Sequence, residues 1–242
     1  MFRHKGKRRT YSHNLLLASI LSFVAGIVNV TSVFALQVLT TNITGHFAYF
    51  VEHLINSGPK LAAVFLMYSI CFLGGAFVSN FCAEIFSRKN PRLTYIIPLM
   101  IEILAISLAM LFYTTSISYG VEVVAGILLF AMGLQNAMVT KVSQSVVRTT
   151  HLTGIFTDLG IELSQLFFYK NSKRHQQLYR SIHLKVAIVF SFFCGGVIGG
   201  YGYKQVGMYI LGLAVGIIFI AMIHDYIRYH YYNIKRIIRN RH

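Results

Sequence analysis

Six stretches of this chain are longer and more apolar than the core helices of a soluble domain. They run Leu15–Leu39, Leu61–Phe86, Leu93–Tyr113, Val121–Val142, Leu184–Tyr203 and Val206–Ile227. Each passes the roughly 18 apolar residues that mark a membrane-crossing helix. Lipid offers the backbone no hydrogen-bond partners, so crossing segments must satisfy their own N–H and C=O groups. The pattern predicts an all-α, polytopic helical membrane protein. Composition agrees: 55% of the 242 residues are hydrophobic and 12% are charged, about half the charge of a soluble domain.

Two shorter segments break the series, Ile43–Ser57 and Leu152–Phe168. The first would reach only about 22 Å as a helix, against about 30 Å of hydrocarbon. His46, Tyr49, His53 and Asn56 give it one polar stripe, with Glu52 nearby, and Gly58-Pro59 ends it. Three placements are open for these segments: re-entrant, flat on the surface, or spanning. If both span, eight crossings put the basic stretches Ser87–Arg92 and Lys141–Arg148 outside and the neutral Thr114–Tyr119 inside. That inverts the usual Lys/Arg bias. Six crossings keep those basic stretches, the loop Lys170–Lys185 and both tails in the cytoplasm, and leave Lys60 and Lys204 outside. The expectation is therefore six membrane-spanning helices with both termini cytoplasmic.

The chain also repeats itself. Thr40-Thr41-Asn42-Ile43-Thr44-Gly45 returns as Thr149-Thr150-His151-Leu152-Thr153-Gly154. Each phrase follows a Gly-x-x-Asn, Gly26 to Asn29 and Gly133 to Asn136, and each is followed by a phenylalanine, Phe47 or Phe156. Gly74-Gly75 has its counterpart in Gly195-Gly196, and Gly212 and Gly216 stand at helix-packing spacing. The expected organisation is a basic tail (1–14), a first membrane repeat (15–113), a second (114–227) and a basic amphipathic tail (228–242). Three crossings per repeat is an odd number, so the second repeat enters from the opposite face. The two hydroxyl-rich phrases would then meet near the midplane as bends that protein or water must satisfy.

At these motifs the chain resembles the YoaK-like family, bacterial multi-pass membrane proteins of unknown function. Ala25-Gly26-x-x-Asn29, Thr44-Gly45, Gly133-Leu134-Gln135-Asn136 and Arg148-Thr149-Thr150-His151-Leu152-Thr153-Gly154 carry the resemblance, with Thr157-Asp158 after the last. His46 departs from the Asn expected there in many members. The resemblance implies a bacterial plasma-membrane location and supplies no substrate.

The candidate substrate-binding residues are Asn29, Thr40, Thr41, Thr44, Gly45, Gln135, Asn136, Thr149, Thr150, Thr153 and Gly154. A threonine capping a half-helix would favour an anion, whereas inward carbonyls and hydroxyls would favour a cation. The bland alternative for these polar groups is helix packing and local bends. Glu102 lies near the centre of its helix, where an ionised carboxylate is expensive. Asp158 and Glu162 are one turn apart, with Gln165 on the same face, and would repel if both were ionised. These three acids are the candidates for proton or ion coupling; structural polar contacts are the alternative. Arg148 could pair with either of the last two.

The net charge of +15 would suggest nucleic acid in a soluble protein. Here the basic residues gather at the ends of apolar runs, so no nucleic-acid partner is expected. The bilayer is the partner, with anionic lipids at the basic tails. Cys71, Cys82 and Cys194 all lie inside apolar runs, and no disulfide is expected. The first apolar run is about twice a signal h-region and is expected to stay as an anchor. No phosphate loop, His-Glu-x-x-His or Cys-x-x-Cys occurs, so neither enzymatic chemistry nor a cofactor or metal is expected. Two functional readings stand: a proton-coupled transporter of a small solute or ion, and a non-transporting membrane scaffold or regulator. The glycine faces leave room for self-association.

Overall fold

The computed structural model describes residues 11–89, 93–114, 120–143, 151–169 and 173–224. Every regular element among them is helical. They are α1 (Tyr11–Leu36), α2 (Ile43–Asn56), α3 (Pro59–Lys89), α4 (Leu93–Thr114), α5 (Val121–Ser143), α6 (Leu152–Phe168) and α7 (Lys173–Val206). A 3-10 turn, Gly207–Ile210, follows, and then α8, residues 211–224. Five stretches are long and apolar enough to cross a membrane: Asn14–Leu36, Pro59–Ser87, Thr94–Thr114, Val121–Ser143 and Arg174–His224. The chain is a multi-pass helical membrane protein.

The last stretch holds 51 residues, about 77 Å if it were one helix. It is broken where Gly207 takes φ 60, a conformation that an L side chain resists. The Ile210 side chain then folds back so closely on Gly202 that a Cβ there would lie 2.3 Å from it. The basic stretch expected as the loop Lys170–Lys185 is helical from Lys173 onward. No glycine or proline occurs between 173 and 185, so nothing stops the helix from starting early. Residues 1–10, 90–92, 115–119, 144–150, 170–172 and 225–242 lie outside the described residues, and with them most of the N-terminal tail, the whole C-terminal tail and most of Lys141–Arg148. The last residues of the N-terminal tail, from Tyr11, begin α1.

Two helix pairs organise the molecule, and both meet at glycines. A Cβ at Gly195 would lie 2.0 Å from Phe23 O, and one at Gly26 would lie 2.1 Å from Phe192 O. The same reciprocity joins α3 and α5: 1.9 Å from Gly75 to Phe130 O and 2.0 Å from Gly133 to Phe72 O. The four partners share one local sequence, Phe-x-x-Gly, at 23–26, 72–75, 130–133 and 192–195. Between helices in lipid, attraction comes from close packing, and only glycine lets backbones approach this far. Gly212 and Gly216 behave otherwise: nothing lies within 4 Å of a Cβ at either.

Contacts also give the helix directions. Phe23 meets Gly195 and Val30 meets Gly200, while Phe34 packs on Tyr203 at 6.0 Å, so α1 and α7 run the same way. Cys71 meets Gly126 and Lys141 reaches Asn80 and Glu84, so α3 and α5 also run together. The Tyr113 and Tyr203 hydroxyls are 3.2 Å apart, so α4 ends where α7 and α1 end. Only residues 90–92 join α3 to α4, a reach of about 14 Å, which makes that pair antiparallel. Hence α1, α4 and α7 point one way, and α3 and α5 the other. One apolar core runs through them, including Leu21, Val28, Ile106, Leu128, Met132, Ile188 and Leu211.

Candidate functional site

The site begins where α1 stops. Gln37 takes φ 58, which turns the chain back along the helix it has just left. Ser32 Oγ lies 2.8 Å from Asn29 O and 2.7 Å from Val38 O; its single proton serves one carbonyl or is shared between them. The returning strand reaches Asn29, seven residues short of the helix end. Asn29 Oδ1 accepts from Thr41 N–H at 3.2 Å, from the Thr41 hydroxyl at 3.0 Å and from the Thr40 hydroxyl at 3.4 Å. The backbone N–H among these donors fixes which end of the amide is oxygen. No described residue takes up the Nδ2 protons of Asn29, which are left to donate elsewhere.

The half-helix α2 starts from this bend. Asn42 caps it, its Oδ1 accepting from Gly45 N–H at 3.0 Å. A Cβ at residue 45 would lie 2.8 Å from the Asn42 side chain, so the glycine of the phrase keeps the cap in place. His46 is the buried residue of α2. Its Nε2 lies 2.7 Å from Leu39 O. Because a carbonyl only accepts, Nε2 carries a proton, and in the neutral ring Nδ1 carries none. Nδ1 is buried without a partner among the described residues. Burial pushes the imidazole below its ordinary range, and the bond to Leu39 partly opposes that. The ring packs on Tyr68 and Phe65 of α3.

Of the residues predicted from the first phrase, the fold thus gathers Asn29, Thr40 and Thr41, with Thr40 fully buried. Gly45 serves the cap, and Thr44 is exposed. From the second half, Gln135 Nε2 donates to Leu21 O at 3.0 Å and ties α5 to α1. Asn136, the counterpart of Asn29, has its Oδ1 buried and without a partner among the described residues. Thr149 and Thr150 lie outside the described residues, and so does Arg148. Thr153 is exposed, and its carbonyl accepts from the Thr157 hydroxyl at 3.0 Å. Gly154 sits against the His151 ring, where a Cβ would be 2.9 Å from Nε2.

Glu102 stands apart on α4. It is fully buried, and neither carboxylate oxygen has a partner among the described residues. An apolar, unpartnered setting tolerates the uncharged acid and penalises the anion. Asp158 and Glu162 do not face each other unaided. Lys185 of α7 reaches Glu162 Oε1 at 2.6 Å and Asp158 Oδ2 at 3.7 Å. The Ser181 hydroxyl donates to Glu162 Oε1 at 2.7 Å. Sequence reasoning missed Lys185 because it placed that residue at the end of a loop. The absence of any helix breaker before it was the available signal. Among the described residues no group of His, Cys, Asp or Glu converges as a metal would require.

The family model described as "Protein of unknown function (DUF1275)" matches residues 17–224, and the chain belongs to that family. This agrees with the resemblance to uncharacterised YoaK-like membrane proteins carried by the repeated motifs. No curated protein and no solved structure matches the chain.

Proposed function

We propose that this member of the DUF1275 family is a secondary transporter for a small solute or ion, built from two inverted halves of three crossings each. The helix directions support the topology. Since α1 ends where α3 begins, α2 enters and leaves on one face. Since α5 ends where α7 begins, α6 does the same on the other. The crossings are then α1, α3, α4, α5, α7 and α8, and the Lys/Arg bias puts both tails in the cytoplasm of a bacterial plasma membrane. Discontinuous helices that meet irregular backbone inside the bilayer are the usual ligand sites of such repeats.

The observation that carries the reading is the bend at Asn29. Three donors hold its carbonyl, and its amide protons remain for a ligand beside the N-terminus of α2, whose Gly45 N–H is already capped by Asn42. That chemistry suits an anionic or carbonyl-bearing group. Thr40, Thr41, Thr44 and Gly45 form the first half of the proposed site. Gln135, Asn136, Thr149, Thr150, Thr153 and Gly154 form the second. Glu102 is the proposed proton carrier, because it can lose its proton only when water or a cation reaches it. Asp158 and Glu162, bridged by Lys185, are the proposed ion-sensitive contact on the cytoplasmic side.

The test is reconstitution into liposomes loaded with a pH-sensitive dye, using solutes chosen by the thermal stabilisation they give. The expected result is solute-dependent proton movement, lost in Glu102→Gln, with solute stabilisation lost in Asn29→Ala. Wild-type coupling in Glu102→Gln would remove Glu102 from the mechanism. No solute response at all, together with a stoichiometric protein partner on the cytoplasmic loops, would favour a scaffold or regulator instead.

A further inference from the structure

An open groove of about 530 Å³ follows the α1–α7 crossing. Its walls include Val30, Phe34, Leu152, Val189, Phe193 and Val197, and Gly196 and Gly200 line it as well. From Val189 to Lys204 it follows α7 for about 22 Å, close to the length of an extended lipid acyl chain. One cation, Lys204, stands at its end, just before the turn at Gly207, with Tyr201 and Tyr209 exposed beside it. Exposed tyrosines at a helix end mark the interface of a membrane.

The equivalent place on the other crossing carries different chemistry. Lys204 is nine residues after Gly195, as Glu84 is nine after Gly75. Phe34 is eight residues after Gly26, as Lys141 is eight after Gly133. On α3 and α5 those positions make an ion pair, Lys141 to Glu84 at 2.6 Å, with Asn80 also on the lysine at 2.6 Å. On α1 and α7 the acid is replaced by a lysine and the lysine by a phenylalanine. Lys204 lies 5.9 Å over the Phe34 ring and has no carboxylate partner among the described residues.

We infer that the groove beside Gly196 and Gly200 holds one acyl chain of an anionic phospholipid, whose phosphate rests on Lys204. The apolar walls exclude a hydrated solute, and Lys204, the cation in the groove lining, selects the headgroup charge. A second copy of the chain would have to bring its own carboxylate to Lys204.

The protein contains no tryptophan, so Tyr201→Trp at the groove mouth is a unique fluorescent reporter. It is reconstituted into phosphatidylcholine liposomes carrying equal mole fractions of either dibrominated phosphatidylglycerol or dibrominated phosphatidylcholine with identical chains. The expected result is tighter quenching by the phosphatidylglycerol, by about fivefold, the worth of one interfacial lysine. Lys204→Gln in the same background should erase the preference and Lys204→Arg should keep it. Lys204→Gln removes one of 22 basic residues, so general attraction to anionic lipid hardly changes. Equal quenching by the two lipids, or a preference that survives Lys204→Gln, overturns the inference. Weak quenching by both overturns it too, because the groove is then covered by protein. Native mass spectrometry of the unsubstituted chain and of Lys204→Gln, counting phosphatidylglycerol retained per chain, decides the matter if the tryptophan variant does not fold.

Discussion

The two short helices occupy matching places and are held by different forces. Tyr49 and His53 stand four and eight residues after Gly45, as Asp158 and Glu162 stand after Gly154. Phe65 is ten residues before Gly75, as Lys185 is ten before Gly195. In the first half these positions make an aromatic stack, His53 on Phe65 at 4.9 Å and Tyr49 on Phe65 at 5.3 Å. In the second half the same positions are two acids on one lysine. Beneath them the pattern reverses. His46 on Tyr68 lies at the buried level of the first hairpin, and the matching Ile155 and Ile188 of the second are both buried and apolar. The glycine crossings are alike in the two helix pairs, while the contacts that hold the short helices differ in chemistry. The side chains of each hairpin adjust only how tightly a short helix is latched.

The comparison breaks most easily at the crossings. Gly75→Val and Gly195→Val each push a side chain into a neighbouring carbonyl. Both should cost about 3 kcal/mol or more and prevent a folded monomer in detergent, as size exclusion and thermal unfolding would show. Gly212→Val should leave the unfolding temperature nearly unchanged. If one crossing tolerates valine and the other does not, the two are not equivalent.

The latches come next. Lys185→Met leaves Glu162, which is 17% exposed, without its cation, and should cost about 2 kcal/mol, less than a fully buried pair would. Phe65→Ala should cost about as much through lost packing. The two are separable by protease access: the first should expose α6 alone and the second α2 alone. Asn29→Leu leaves the Thr41 N–H without an acceptor and should cost about 1–2 kcal/mol, read as faster amide exchange over residues 37–45.

The smallest effect is the pH response of the first latch. The folded protein depresses His46, chiefly by burial, so the neutral imidazole favours the folded state. That contribution is present above the ordinary value of 6.5 and is lost as pH falls through the lower folded value. Acidification should therefore loosen α2 by a few degrees of unfolding temperature, and His46→Asn should abolish the shift. A shift that persists in His46→Asn belongs to another group.

Much of this was legible in the chain. Apolar length alone made it a multi-pass helical protein, since a bilayer accepts nothing else from such runs. The first Thr-Thr-x-x-Thr-Gly phrase marked a bend because glycine and hydroxyl side chains recur where a helix must be interrupted and re-capped. Glu102 declared itself by lying mid-span. The lysine beneath Asp158 and Glu162 did not, because a basic stretch before an apolar run reads equally well as a loop or as the first turns of a long helix.

From the chain alone came the long helices, two polar interruptions and five occurrences of Phe-x-x-Gly, four of which meet in pairs. Which copy meets which was decided by the tertiary structure, which joins 23–26 to 192–195 and 72–75 to 130–133. The reason is degeneracy. Four near-identical glycine faces attract one another about equally, so no local preference distinguishes their partners. Only the reversals at Gln37 and Gly207, the short link between α3 and α4, and the common direction of α1, α4 and α7 leave a single way to close all four.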